Sequence, residues 1–540
     1  MTTQHDPPVA ITRPRPTCTP VAAQAAQASA VDLVLPLAAV GAAGVVAGYG
    51  YVRRTRRART RTTPGGPSTA PAVEPLPELD RRTQALLVEA DDCIRTSREE
   101  LACAAALSGP GPAAPYTRAV REAEAELAAA FAMRQRYDEG VPAEETARRH
   151  TLAGIDGRCA EAGRRLDAEA AGFDRLRGPE FGAGAALEAA EARFRQLAGR
   201  TGAAQATLAE LTARYGPAAS AGVTGYVEQA KDRLVFATSR LNRARQTADR
   251  GEPGRAALHL RAAEGGVAQA AVFVDEVHRL ATALTTAARW LPAALTGAEA
   301  QLASVRAAGP AARPAVPSGE LRSRLLHADA VLDSVRQEVT APRPHDPLGL
   351  LRRVVRATAP LDTGRGGVLA AAASLVARSD VAGAGGFVAT HRGVVGAEAR
   401  TRLAAAERCL ARMDGRADGR ADGRAPQDGA AGAPEEDPAA VPADIPADVP
   451  IGVPADVSVS VPADVLTDVL ACGDLATQAR ELAELDVRTH GNPHDGPTAH
   501  ESGLAGAVLG GLLSPGAAQD GTPPSFGGPR TRDRRGPAPT

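Results

Sequence analysis

Along most of the chain, apolar residues return every three or four positions with charged residues between them. The clearest run is Leu260, Ala263, Val267, Ala270, Val274, Val277, Ala281, Leu284, Ala288 and Leu291. Its alternating spacing of three and four is the seam of a heptad helix. Val223, Val227, Ala230, Leu234, Ala237, Leu241 and Ala244 repeat the pattern, as do Leu87, Ala90, Ile94, Ser97, Leu101 and Ala104. Ala at about half of these positions predicts close-packed helices with narrow cores. Glu122 and Glu126 beside Arg118 and Arg121 read as a solvated helix face with weak pairing. Breakers cut the pattern at 109–115, 140–142, 215–217, 251–254 and 309–319. Asp346 before Pro347 is an N-cap followed by a first-turn proline, opening one further helix. Helices of about 25 residues joined by short breaks predict antiparallel hairpins, because a parallel rod needs uninterrupted heptads.

A different pattern precedes the helices. Leu33 to Val52 carry no charge over a length that spans about 30 Å as a helix, the thickness of a bilayer core. Arg53 to Arg61 (RRTRRARTR) follow at once, whereas the residues before the run hold only Arg13 and Arg15. The positive-inside rule then predicts one span, with the N-terminal tail outside and the bulk of the chain cytoplasmic. Tyr49 and Tyr51 sit where interfacial aromatics belong, and Gly44 and Gly48 form a GxxxG spacing that would let two such helices approach. A cleavable signal peptide would carry its positive charge before the apolar run.

Composition narrows the fold class. Aromatics are 3% of the 540 residues, too few for the cores of sandwiches, barrels or doubly wound sheets. The prediction is an all-α chain. With 62 basic against 63 acidic residues, no global field draws it to nucleic acid. Cysteines 18, 93, 103, 159, 409 and 472 show no CxxC spacing and are too few for a disulfide framework, so they read as small, free residues in a reducing compartment. From Asp414 the chain turns into GRADGRADGRA and VPAD repeats, where Pro recurs too often for a helix. A last helix near 463–488 and a Gly/Pro-rich tail follow. Within that tail GLAGAVLGGLL (503–513) is too short to span, which leaves it to touch the membrane, pack on the bundle or self-associate.

No catalytic motif is present: no GxSxG, HExxH, Walker A or strand-borne GxGxxG. His490, His494, Asp495 and His500 are metal-ligand types, but on a Gly/Pro-rich loop without supporting groups they read as exposed loop residues. His259 and His278 read as core-edge or solvent histidines on helix flanks. The sequence therefore assigns no catalytic, cofactor-binding or metal-binding residue, and no cofactor.

Several strings in order along the chain carry a resemblance. They are RRTRRARTRTTP, LLVEADDCIRTSREEL, CAEAGRRLDAEAAGFDRLR, ARYGPAAS with EQAKDRLVFA, HRGVVGAEARTRLAAAERCL, LDVRTHGNP and SFGG with TRDRRG. Together they resemble the C-terminal two-thirds of actinobacterial TPM-domain-containing membrane proteins. The resemblance implies one membrane span, an arginine stop and a long cytoplasmic coiled-coil region. In that family a TPM domain, linked to phosphatase activity and membrane-protein maintenance, stands before the span. Only about thirty residues stand there in this sequence, so no TPM residue can be assigned. The expected layout is a disordered extracytoplasmic tail (1–31), a transmembrane helix (32–53), a basic Pro/Gly-rich linker (54–77) and a helical coiled-coil region (78–412). A low-complexity linker (413–462), a helix (463–488) and a disordered tail (489–540) complete it. The expected function is a non-enzymatic single-pass cell-membrane protein. Its partners are the bilayer through residues 33–52 and other proteins through helical surfaces, with room for a homo-oligomer; the alternative is the anchor and arm of a longer TPM-domain phosphatase.

Overall fold

In the computed structural model, residues 74–178, 183–309, 316–361, 367–421, 463–491, 503–513 and 523–535 are described. The expected span at 33–52, its glycine face and Arg53 to Arg61 lie outside these residues, as do most of both linkers. All regular structure among the described residues is helical, as the composition predicts.

The first three helices are α1 (Leu76–Ser108), α2 (Pro110–Asp138) and α3 (Glu145–Leu176). Gly109, at φ 84°, reverses the chain between α1 and α2 in a conformation closed to most L-residues. Side-chain pairs fix the directions. Arg98 meets Glu124 while Arg134 meets Asp80, so α2 runs antiparallel to α1. Arg82 and Thr83 both reach Asp156, whereas Arg177, just past α3, reaches the Glu100 carbonyl, so α3 runs parallel to α1. The predicted seam of α1, from Leu87 to Ala104, is buried throughout. Glu122 and Glu126 differ from expectation: they pair with Arg165 and Arg158 of α3, not with arginines of their own helix.

The up-down-up arrangement repeats in α4 (Ala183–Tyr215), α5 (Tyr226–Asp249) and α6 (Pro253–Ala308). Lys231 with Gln205 and Arg245 with Glu191 set α5 against α4, and Arg200 with Asp275 aligns α6 with α4. All seven predicted seam residues from Val223 to Ala244 are buried. The 56 residues of α6 exceed the expected helix length of about 25. Gly265, Gly266 and Pro292 do not break it, because neighbours pack it on several sides. A Cβ at Gly266 would crowd Phe236 and the Arg233 carbonyl, so that glycine serves close helix approach. Being central, α6 also buries Phe273, Leu280, Ala283 and Ala287 beside its heptad seam.

The chain continues through α7 (Ser318–Thr340), which returns along α6 by Arg336–Glu299 and Arg306–Asp329 contacts, to α8 (Pro347–Thr358). Asp346 caps α8 as expected, its Oδ1 accepting from the Leu348 amide at 3.0 Å. A third up-down-up set follows: α9 (Gly367–Thr390), α10 (Ala397–Ala421) and α11 (Ala463–His490). Arg378–Asp414 and Gly396–Asp486 contacts set α10 against both neighbours. Among the described residues α9 is the one helix long and apolar enough to cross a membrane, but half of it is buried in the bundle. Its Asp380 pairs with Arg352, so α9 packs as a core helix.

Two further differences concern the cysteines and the tail. Cys409 of α10 and Cys472 of α11 form a disulfide, with Cα atoms 5.6 Å apart, instead of remaining free. The spacing hid this because the partners, 63 residues apart, are brought together by antiparallel packing. The tail is not structureless throughout: Leu504–Leu509 (α12) and Pro529–Arg535 (α13) are helical, and both flank segments buried on the bundle. Of the three fates open to 503–513, the structure shows packing on the bundle.

Candidate functional site

A dense polar arrangement lies where the α9–α10 turn meets α1. The turn, His391 to Gly396, is held by Arg400 in the first turns of α10. Arg400 is almost completely buried and places Nη1 2.6 Å from Asp91 Oδ2 and 2.7 Å from Asp92 Oδ1. Its Nε and Nη2 donate to the carbonyls of Val395 and Arg392 at 3.1 and 2.5 Å. A guanidinium can do this because its planar fork offers five donors in fixed directions. Arg95 also donates through Nε to both oxygens of Asp91 at 3.0 Å. Burial alone would push the Asp91 carboxyl up, but the charges and hydrogen bonds of Arg95 and Arg400 outweigh it and hold it below the usual range.

Arg392 grips Glu99 through two parallel bonds of 2.7 and 3.0 Å. Beside it, His391 stacks on Phe387 with centroids 4.3 Å apart and meets Phe273 edge-on. Its Nδ1 lies 3.0 Å from the Phe387 carbonyl. Burial pushes this imidazole down to about 4, against which the carbonyl contact works weakly. In addition, Arg177 pairs with Glu264 at 2.6 Å and Arg261 with Glu100 at 3.3 Å. Arg233 donates to Gln269 at 3.0 Å, and burial brings its guanidinium down to about 10.

The C-terminal tail closes over this seam. Gln269 Nε2 donates to the Gly510 carbonyl at 2.5 Å, and the Gly393 amide donates to the Leu509 carbonyl at 3.0 Å. Ala507, Val508, Leu512 and Leu513 pack with Phe236 and Ala262. Farther on, Phe526 stacks on Phe173 at 4.2 Å in the first bundle's core. The amides of Phe526 and Gly527 donate to Glu100 and Ser97, and Thr531 bonds Asp167 through both its amide and hydroxyl. A Cβ on Gly528 would collide with the Gly163 backbone, so the tail approaches α3 as closely as glycine permits.

This arrangement joins helices that are distant in sequence. Cys93 and Cys159 are buried with thiols pushed up to about 12, and Cys103 to about 11, so all three are poor nucleophiles. Among the described residues no group of three or more His, Cys, Asp and Glu could hold a metal ion. His490 ends α11 exposed, while His494, Asp495 and His500 lie outside the described residues. His259 and His278 are half-buried on α6, near Arg240 and the Val274 carbonyl respectively. Sequence reasoning passed over His391, Arg392 and Arg400. Their signal was the string HRGVVGAEAR, in which two arginines frame a glycine-flanked turn between apolar helices.

Comparison with known proteins gives a partial relationship. The chain is similar to UPF0603 proteins of Mycobacterium tuberculosis. UPF0603 protein MT2410 (strain CDC 1551 / Oshkosh) and UPF0603 protein Rv2345 (strain ATCC 25618 / H37Rv) are each 32% identical over 225 residues. The match covers 41% of this chain and 34% of each relative, so the chain spans about a third of their length. No family model and no solved structure matches.

Proposed function

We propose that this is a non-enzymatic, single-pass membrane protein whose helical body scaffolds or tethers protein partners at the membrane. One observation carries the reading. The deeply buried charges Arg400, Arg177 and Arg392 are each held in an ion pair with a carboxylate on a remote helix, which makes a braced body. The charge-free run at 33–52, with its arginine stop, supplies the anchor in this reading. Membrane fractionation tests it. The full chain should stay with membranes through high-salt and carbonate washes, and deletion of 33–52 should release it. A full chain that is soluble in low-salt buffer would end the proposal.

The resemblance to TPM-domain proteins supports a finer version, in which the body is the cytoplasmic arm of a longer product with phosphatase activity. The mass and N-terminal residue of the native product in membranes decide between the two. One observation favours a different sidedness: structural disulfides are rare in reducing cytosol, and Cys409–Cys472 is buried between α10 and α11. Alkylation before and after reduction, on protein trapped in intact cells, reads which side the body occupies.

A further inference from the structure

A cavity of about 240 Å³ opens where α10 lies across α1 and α2. Ile94, Leu127, Phe131 and Leu403 line its apolar part, and its polar lining sets Arg95, Arg98, Arg400 and Arg408 against Asp91, Glu124 and Glu407. The cations are not equally matched. Arg98 pairs with Glu124 at 2.8 Å, and Arg95 uses only Nε, on Asp91. Arg408 donates through Nη2 to Gln135 at 2.6 Å, but its Nη1 is buried without a hydrogen-bond partner. Among the described residues no carboxylate lies within ion-pair distance of Arg408. Burial and the neighbouring Arg412 push its guanidinium below its ordinary range, and Glu407 only partly offsets them. A buried donor left unmade costs roughly 1–3 kcal/mol, more for a charged group, so such a position favours an anionic acceptor.

We propose that this cavity binds a phosphate group, held by Arg408, Arg95 and Arg98 above the apolar floor. Three guanidinium groups from two helices suit an anion with several acceptor oxygens better than they suit a planar carboxylate. The volume exceeds what inorganic phosphate fills, so the site fits a phosphate monoester with an apolar substituent. That chemistry occurs in free phosphate esters and in the headgroup of an anionic lipid.

Calorimetric titration of the full chain in non-ionic detergent tests the site. Inorganic phosphate is one probe, and dihexanoyl phosphatidic acid is the other, both against chloride at matched ionic strength. Saturable binding of either is expected, with Arg408→Gln and Arg98→Gln each weakening it about tenfold. Arg98 is largely exposed, so its variant keeps the test open if Arg408→Gln does not fold. Comparable affinities for the two probes assign a soluble phosphate, and a markedly tighter lipid assigns the headgroup. No saturable binding of either probe, or affinity unchanged in both variants, overturns the site.

Discussion

Replacing Arg400 by Met tests whether the α9–α10 turn is braced by charge. The substitution keeps an unbranched apolar stem of similar reach and removes all five donors. Asp91 would keep Arg95, and Asp92 is partly exposed and can hydrate. The Val395 and Arg392 carbonyls would lose a charged donor. Breaking a buried pair from one side costs about 3–5 kcal/mol, and the remaining partners place this variant near the middle, about 4 kcal/mol. Asp91→Asn should cost less, about 2–3 kcal/mol, because Arg400 retains Asp92 and both carbonyls. Urea unfolding followed by far-UV dichroism and by the single tryptophan, Trp290, reads these values and checks that both probes coincide. The double variant should fall short of the sum by at least about 1 kcal/mol, since the two groups touch. Arg98→Met, which breaks an exposed pair with Glu124, is the control and should cost at most about 1 kcal/mol. If Arg400→Met were as mild as Arg98→Met, or the double variant simply additive, the bracing argument would be wrong.

Phe526→Ala should release the tail selectively: truncating a buried Phe costs about 3–5 kcal/mol, and amide exchange should accelerate at Gly527 and Thr531 while α1–α3 stay protected. Unchanged protection there would mean Phe526 does not hold the tail. His391 should make stability fall on acidification. With its imidazole pushed down to about 4, the folded chain stays neutral where the unfolded chain, near 6.5, takes a proton. Stability is therefore full above about pH 6.5 and falls by about 3 kcal/mol on approach to pH 4. His391→Gln should remove that slope, and an NMR titration of His391 near 6.5 would refute the assignment. Reduction of Cys409–Cys472 should lower the unfolding midpoint. Opening a loop with a separation of 63 residues corresponds to about 4 kcal/mol in the chain-entropy treatment. A midpoint that stays put after mass spectrometry shows both thiols free would contradict this.

The apolar seams were legible because they are local. Leu87 to Ala104 and Val223 to Ala244 sit in the core as their spacing predicts, and Asp346 caps its helix through a bond two residues long. The polar seam was not legible, for a reason that is equally physical. Arg400 stands 309 residues from Asp91, and Arg392 stands 293 from Glu99. On their own helices these residues look like any solvated charge. Glu122 and Glu126 show the same ambiguity, since their spacing from Arg118 and Arg121 suits pairing within one helix while the folded chain pairs them across to α3. The described parts of the tail, 503–513 and 523–535, pack where composition alone suggests disorder: Gly, Pro and short apolar runs give no local sign of it, and Gly528 is what allows contact with Gly163.

The abundance of alanine and arginine belongs to one structural solution. An alanine seam brings helices close but buries little area and presents a nearly smooth ridge, so it fixes registry weakly. Registry then depends on directional contacts. Arginine supplies them, because one guanidinium can tie carboxylates on one helix to carbonyls of another segment, as Arg400 ties α1 to the His391–Gly396 turn. The sole lysine, Lys231, stays half-exposed between Glu228 and Gln205, where a compact ammonium suffices. A lysine at 400 would keep the charge but lose the fork that meets Asp91, Asp92 and the two carbonyls together. Arg400→Lys should therefore be destabilising by more than about 1 kcal/mol in the same urea assay, and a neutral result would show that charge alone holds the turn.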